Sequence, residues 1–425
     1  MRETPQAALS GAPPPTLAWP ATPGHRRAEA APIRIAYIAV SYTAQRDGVS
    51  VYTENLLFEL LRLASERACY QEFDVFACGQ AATMLESWLH SRAAEPARAG
   101  VRIIATAKEN FPAKYLQIPR LVRRHGPYDA LFMPNLQPLW LPRQRSLSVL
   151  HDLTYRVAHT HFPRWRVHYM DLLTRFWLWR GTAIGYVSHT SKTDRERYYP
   201  SSRCKQDLYL PNGLPEKLTA SPRLSFEAAQ GKFQAPRLEL LFVGRVNRLK
   251  GFDRVRRVCE RLDRYAASHG TPITVHVVGK DTKESPSLLA GFTLRHGRLE
   301  RHGYLDDAAL NGLYRRSAFC LFLSRNEGFG LPLLESIWQR CVPLLSDIAV
   351  FREVMGEGYP LFAGDEPGLT ALVAFIERLR SEVSYRREIF GHMDNTLARW
   401  ADGYRQAAGN LLEWVHGGAG WTSCR

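Results

Sequence analysis

The chain has 425 residues, 45% of them hydrophobic and 23% charged, too long for one ordinary core and too apolar for disorder throughout, so two or three domains are expected. Its 56 Lys and Arg against 41 Asp and Glu, a net charge of +15, admit nucleic acid, an anionic membrane surface or a phosphorylated substrate as partner. Zinc-finger spacing, RNP-like motifs and basic-zipper patterns are missing, so no nucleic acid partner is expected. No apolar run reaches the ~18 residues of a membrane span, and seven cysteines without CxxC spacing suit a reducing cytoplasm better than a disulfide framework.

Residues 1–32 are rich in Ala and Pro and lack the apolar run of a signal peptide, so they read as a flexible N-terminal extension. The first regular element is Ile33–Val40, an apolar run of strand length. Asp47-Gly48 then turns the chain into a helical pattern over Val51–Leu63, the opening of a parallel α/β unit. Further strands are predicted at Phe73–Cys78, Val101–Ala105, Ala130–Met133, Leu147–Leu150, Ile184–Ser188 and Leu208–Leu210. Periodicity then fades over Glu216–Arg237, which reads as a linker. A second α/β series follows, with strands at Leu238–Val243, Ile273–Val278, Leu299–Gly303, Phe319–Leu323 and Val342–Ser346. Helices are predicted between them at Phe252–Ala267, Asp307–Arg316, Leu331–Gln339 and Leu369–Leu379. Two such halves put the default ligand site in the cleft between them, at the carboxyl ends of the strands.

Four constellations fall at those ends. Gly244 and Arg245 follow the strand Leu238–Val243, with Lys250-Gly251 shortly after; a guanidinium fork and an ammonium there could hold a diphosphate, or be solvated loop charges. Asn326–Glu335 follows Phe319–Leu323. Gly328 and Gly330 expose backbone N–H groups, Pro332 suits a first helical turn, and Glu327 and Glu335 can face one cleft and take hydrogen bonds from sugar hydroxyls. His151-Asp152 follows Leu147–Leu150, and Gly48 sits in the first turn, across the cleft. Glu335 is placed in the first turn of its helix.

These residues resemble family 4 retaining glycosyltransferases of the GT-B fold, α/β proteins of two Rossmann-like domains facing a central cleft. The carriers are the E-x(7)-E block Glu327–Glu335 and the GR-x(4)-KG block Gly244–Gly251. The Tyr186–Lys192 stretch, Pro211-Asn212-Gly213 and His151-Asp152 add support. The resemblance implies a first domain over 33–214, a linker over 215–237, a nucleotide-sugar domain over 238–394, and one C-terminal helix, 395–416, crossing back to the first domain. By position, Arg245 and Lys250 would bind the donor diphosphate and Glu327 the donor-sugar hydroxyls. Phe329, Gly330 and Leu331 would offer backbone N–H groups, and Glu335 would hold the ribose. Gly48 and Gly244 would let backbone approach the diphosphate, and His151 would meet the sugar near its anomeric carbon. The family's proposed front-face attack requires no metal or other cofactor and no protein nucleophile. Two positions depart from the pattern: Asp47 stands where the first turn has a glycine, and Ser336–Pro343 lacks the usual glycine before its proline.

The implied function is transfer of a hexose to a lipid-linked or polysaccharide acceptor in surface glycan synthesis. Mannose from GDP-mannose is favoured, and a UDP-sugar is the other donor considered. A nucleotide-sugar epimerase and an inactive sugar-binding homologue are the alternative readings. The expected location is the cytoplasm, with peripheral contact to the anionic inner face of the cell membrane. Two segments are candidates for that contact, Phe111–Arg124 and Pro163–Arg180. In the first, Pro119 should break a helix; in the second, the aromatic residues are expected in the core.

Overall fold

In the computed structural model, residues 33–43, 47–66, 71–92, 100–137, 139–141, 144–200 and 206–417 are described; the expected N-terminal extension lies outside them. The first sheet holds β1 (Ile33–Ile38), β2 (Gln71–Cys78), β3 (Val101–Thr106), β4 (Ala130–Met133), β5 (Ser146–Leu150), β6 (Ala183–Tyr186) and β7 (Gln206–Tyr209), in the order β3-β2-β1-β4-β5-β6-β7. The second holds β8 (Leu238–Val243), β9 (Ile273–Val278), β10 (Arg298–Gly303), β11 (Phe319–Phe322), β12 (Val342–Ser346) and β13 (Leu361–Phe362), in the order β10-β9-β8-β11-β12-β13. Every pairing is parallel, with Ile35 opposite Phe73 in the first sheet and Leu240 opposite Phe319 in the second. Strands covered on both faces are largely apolar, which is why short apolar runs marked them. Strand order reverses between β1 and β4 and between β8 and β11. These two switch points are where open α/β sheets take ligands.

The two crossings between the halves lie together. Leu214 N–H donates to the Trp400 carbonyl at 3.1 Å. A Cβ on Gly403 would stand 2.0 Å from the Asn212 carbonyl oxygen, and one on Gly213 would stand 2.6 Å from the Tyr404 nitrogen. Both glycines are needed for the two crossing segments to touch.

Three expectations are corrected. The 215–237 stretch is not aperiodic: it holds helices Glu216–Thr219 and Phe226–Gln234. Ala229 and Phe233 of the second are buried in the nucleotide-domain core. Lys232 donates to the carbonyls of Tyr314 (3.1 Å) and Gln339 (2.7 Å), and burial lowers its pKa to about 8. The single C-terminal helix is two. Val383–Trp400 packs on the second domain through Phe390, Met393 and Leu397; after a break, Gly403–Val415 packs on the first, against helix Gly48–Glu66. The break is where the chain must pass the Asn212–Gly213 turn. Pro119 breaks nothing: a π-helical turn, Ala113–Gln117, runs directly into helix Ile118–His125, and Pro119 lies in the first turn after that change of pitch.

Candidate functional site

The two motif blocks of the second domain are one physical unit at the β8–β11 switch point. Gly251 has φ +71, and a Cβ there would stand 1.8 Å from the Leu323 carbonyl oxygen, so only glycine lets the two loops meet. Lys250 Nζ lies 2.7 Å from both carboxylate oxygens of Glu327, and Ser324 Oγ donates to the same carboxylate at 2.7 Å. Arg325 N–H donates to the Leu249 carbonyl at 2.9 Å, and its guanidinium forks onto Asp253 at 2.8 and 2.7 Å. Gly244, at φ +150, takes the close approach of Gly279, whose Cβ would fall 2.1 Å from the Gly244 carbonyl oxygen. A pocket of about 180 Å³ opens beside it, lined by Val246, Lys280, Asp281 and Gly303 among others. Arg245 is exposed and pairs with no described residue.

Gly330 adopts the left-handed conformation, φ +88, and starts helix Leu331–Trp338. The N–H groups of Phe329, Gly330 and Leu331 donate to no acceptor among the described residues, as a helix start awaiting an anion would have them. The Phe329 ring is buried edge-on against Trp400, centroids 4.8 Å apart, which anchors the loop to the crossing helix. Glu335 is the fifth residue of the helix, one position beyond the expected first turn. It is buried, with Oε1 at 2.9 Å from Lys217 Nζ and Oε2 accepting from Tyr314 OH at 3.3 Å. Burial disfavours the Lys217 ammonium, but Glu335 and then Asp307 outweigh it and hold the pKa above that of an ordinary lysine.

Across the cleft, His151 follows β5. Its Nε2 lies 2.8 Å from the Pro134 carbonyl, which can only accept, so Nε2 carries the proton and a neutral ring has a bare Nδ1. Burial lowers the His151 pKa, favouring that neutral form. Tyr52 packs edge-on at 4.8 Å and holds the ring plane. The His151 carbonyl faces the second domain so closely that a Cβ on Gly328 would stand 2.6 Å from it. Asn326 Nδ2 donates to Thr154 Oγ1 at 2.8 Å and Ser188 Oγ to the Gly328 carbonyl at 3.1 Å, drawing the motif loop to the first domain. Glu353 caps helix His189–Tyr198 from the other domain, accepting from His189 N at 2.7 Å and Thr190 N at 2.8 Å.

The structure therefore gathers Gly244, Lys250, Glu327, Phe329, Gly330 and Leu331 at one switch point, with Glu335 in the helix that follows and His151 opposite. Gly48 begins helix Gly48–Glu66, and a Cβ there would meet nothing within 4 Å. Asp47, in the place of the family's glycine, accepts from Ser50 N at 3.0 Å and so caps that helix. The missing glycine after Glu335 is likewise explained: Arg340 takes the left-handed turn itself, φ +53, with its guanidinium held by Asp394. Sequence reasoning missed Lys217, Ser324 and Glu353. Each acts on a partner that carried the motif, and none has a spacing of its own. The sequence named no metal ligands; among the described residues the trio His276, Glu300 and His302, on β9 and β10, brings ligand atoms within 4.8 Å of one another and could hold a cation.

Residues 226–389 match the family model described as glycosyl transferases group 1. The serotype-specific mannosyltransferase WbdA of Escherichia coli is 30% identical over 131 residues, 30% of this chain and 16% of that protein, so the match spans about a sixth of its length. Among solved structures, the sucrose-phosphate synthase of Thermosynechococcus elongatus superposes with TM-score 0.66 at 16% identity, covering 91% of this chain and 99% of that one. HepE of Anabaena, in complex with UDP-glucose, gives 0.64 at 15% identity, covering 90% and 100%. WaaG, a glycosyltransferase involved in lipopolysaccharide biosynthesis, gives 0.61 at 16% identity, covering 90% and 100%. Two parallel Rossmann-like sheets closing on the motif loops give the chain the GT-B fold, and the second of them is similar to the group 1 glycosyl transferases.

Proposed function

We propose that this chain is a retaining, metal-independent glycosyltransferase that moves a hexose from a nucleotide-diphosphate donor to a lipid-linked or polysaccharide acceptor of a surface glycan. The observation that carries the reading is the fusion of both motif blocks at the β8–β11 switch point, with His151 facing them. Arg245 and Lys250 offer two cations for the diphosphate, and the unpaired N–H groups at Phe329–Leu331 offer donors to the same anion. Lys250, paired with Glu327 at 2.7 Å, would exchange that carboxylate for phosphate, freeing Glu327 to accept from donor-sugar hydroxyls. Glu335, fixed by Lys217 and Tyr314, would accept from the ribose. Bare Nδ1 of His151 would accept from a sugar hydroxyl beside the anomeric carbon.

In the reaction, the bond from the anomeric carbon to the diphosphate oxygen breaks and one to the acceptor oxygen forms on the same face. The acceptor proton passes to the departing diphosphate, whose charge the two cations offset. Mannose and GDP are favoured because the curated relative named above is a mannosyltransferase; a UDP-sugar is the second choice, since the HepE structure holds UDP-glucose. The WaaG likeness supports a lipid-linked acceptor, with the protein attached to the cytoplasmic face of an anionic membrane. Among the described residues no helix is long and apolar enough to cross a membrane. The test is incubation with each donor and a lipid-linked glycan acceptor, read by nuclear magnetic resonance of the product's anomeric centre. Retention with release of nucleoside diphosphate is expected. Inversion, or a donor epimerised without transfer, would overturn the proposal.

A further inference from the structure

The helix Arg164–Arg180 is apolar on two opposite faces. Thr174, Trp177 and Leu178 are buried against the first domain. Trp165, Tyr169, Leu172, Phe176 and Trp179 recur at spacings of four and three residues, which on an ideal helix confines them to an arc of about 80° on the far side. That far side faces outward: Trp165 is 70% exposed, Leu172 66%, Tyr169 49% and Trp179 48%. The expectation that these aromatics lie in the core holds for Trp177 and fails for the stripe.

The patch continues beyond the helix. The Trp140 ring, also exposed, stacks on Phe176 at 5.8 Å, with the Arg180 guanidinium 4.9 Å above it. Arg123 donates to the Trp140 carbonyl at 3.0 Å, joining helix Ile118–His125 to the patch. The preceding turn adds exposed Phe111 and Leu116. Ala113–His125 and Arg164–Arg180 each carry four Lys or Arg, and together they contain one acid, Asp171, already engaged by Arg156 and Arg175.

We propose that this aromatic stripe and its basic rim seat the first domain on an anionic phospholipid bilayer, with helix Arg164–Arg180 lying in the plane of the headgroups. Tryptophan and tyrosine rings settle at the boundary between headgroup and acyl chain, while arginine stems lie along apolar surface and their heads reach phosphate. A second copy of the chain is a poor occupant, because two such rims would set like charges face to face. A single partner helix would cover the stripe and leave Trp140, Phe111 and Leu116 bare. The helix is also strapped to the segment that follows His151: Tyr155 OH lies 2.8 Å from Thr174 Oγ1, and Arg156 Nε donates to Asp171 at 3.0 Å. A bilayer under the stripe would therefore lie close to the cleft, which rests on the transferase reading only for its purpose, the delivery of a lipid-linked acceptor.

The test is co-sedimentation of the full chain with phosphatidylcholine vesicles, with and without roughly one third phosphatidylglycerol. Binding to the anionic vesicles is expected, weakening at high salt. Trp165→Ser/Leu172→Ser/Trp179→Ser should lower it by at least about tenfold, and Arg164→Glu/Arg166→Glu by about tenfold or more. These side chains are exposed, so melting temperature and its response to nucleotide sugars should match the unaltered chain. That response reads the donor site separately from the vesicles, so either proposal can fail alone. An unaltered chain that leaves anionic vesicles unbound overturns the proposal, as does a triple variant that binds them equally well. A dimer in light scattering that the triple variant turns into a monomer would assign the stripe to a protein interface instead.

Discussion

Gly251→Ala should cost far more than a left-handed glycine usually does. Its φ of +71 alone charges alanine about 1 kcal/mol. The added Cβ would also stand 1.8 Å from the Leu323 carbonyl oxygen, where non-bonded heavy atoms need ~3.5 Å, so the two motif loops must part by roughly 1.7 Å. Overpacking of that kind adds about 1–3 kcal/mol, for a total of roughly 2–4 kcal/mol. Gly270→Ala is the matched control, with φ +68 and nothing within 4 Å of the added atom, so it carries the backbone cost alone. At ~2–4 °C per kcal/mol for a domain of this size, the control should lower the melting temperature by about 2–4 °C and Gly251→Ala by about 5–15 °C. Differential scanning calorimetry measures both. The parted loops should also draw Lys250 off Glu327 and weaken the thermal response to donor. Equal melting of the two variants, with the donor response intact in both, would refute the steric reasoning.

Lys217→Met should destabilise the second domain by about 2–4 kcal/mol in urea titration, since it strands the buried Glu335 carboxylate; Asp307→Asn, at the exposed end of the same lysine, should cost under about 1 kcal/mol. The lowered pKa of His151 fixes a sign. Between its folded pKa and the ordinary value near 6.5 the unfolded chain binds more protons, so its stability contribution is present above that ordinary value and is lost as pH falls through the folded one. Donor turnover should hold level from neutral pH down past ordinary histidine titration, then fall, a profile that stopped-flow kinetics in matched buffers would read; a drop centred near 6.5 would contradict it. Glu353→Ala removes the cap that crosses the cleft, and small-angle scattering should show a larger radius of gyration without unfolding in circular dichroism. An unchanged radius would deny Glu353 any part in holding the domains together.

The parallel sheets were legible because a strand buried on both faces is largely apolar, from end to end in β4 and β11 and with one or two polar interruptions in β1, β8 and β9. β13, two residues long, leaves no such run. Helix Phe226–Gln234 escaped notice because Gly231 and flanking Pro and Ser residues mask the face made by Phe226, Ala229 and Phe233. The last two helices read as one because the break answers to the Asn212–Gly213 turn, nearly 190 residues away in sequence. Helix Arg164–Arg180 defeated periodicity for another reason: with apolar residues on both the buried and the outward face, only the narrow flank of Arg164, His168, Asp171 and Arg175 is left to set the phase. The donor loops were legible because their chemistry is local, as glycines and charges at fixed spacing. Lys217 on Glu335 and Glu353 on Thr190 were not, since each pairs residues more than a hundred positions apart that only the fold brings together.

The central claim is that the β8–β11 switch point takes a nucleotide-diphosphate sugar. A thermal-shift screen of the full chain against GDP-, UDP-, ADP- and dTDP-sugars, without added metal, tests it most directly. A donor at a hundred times its dissociation constant should add about 2.7 kcal/mol of stability. The predicted result is a clear rise with one base, GDP favoured, that Lys250→Ala and Glu335→Ala abolish. A screen in which no donor shifts the melting temperature, or in which both variants respond like the unaltered chain, would contradict the claim.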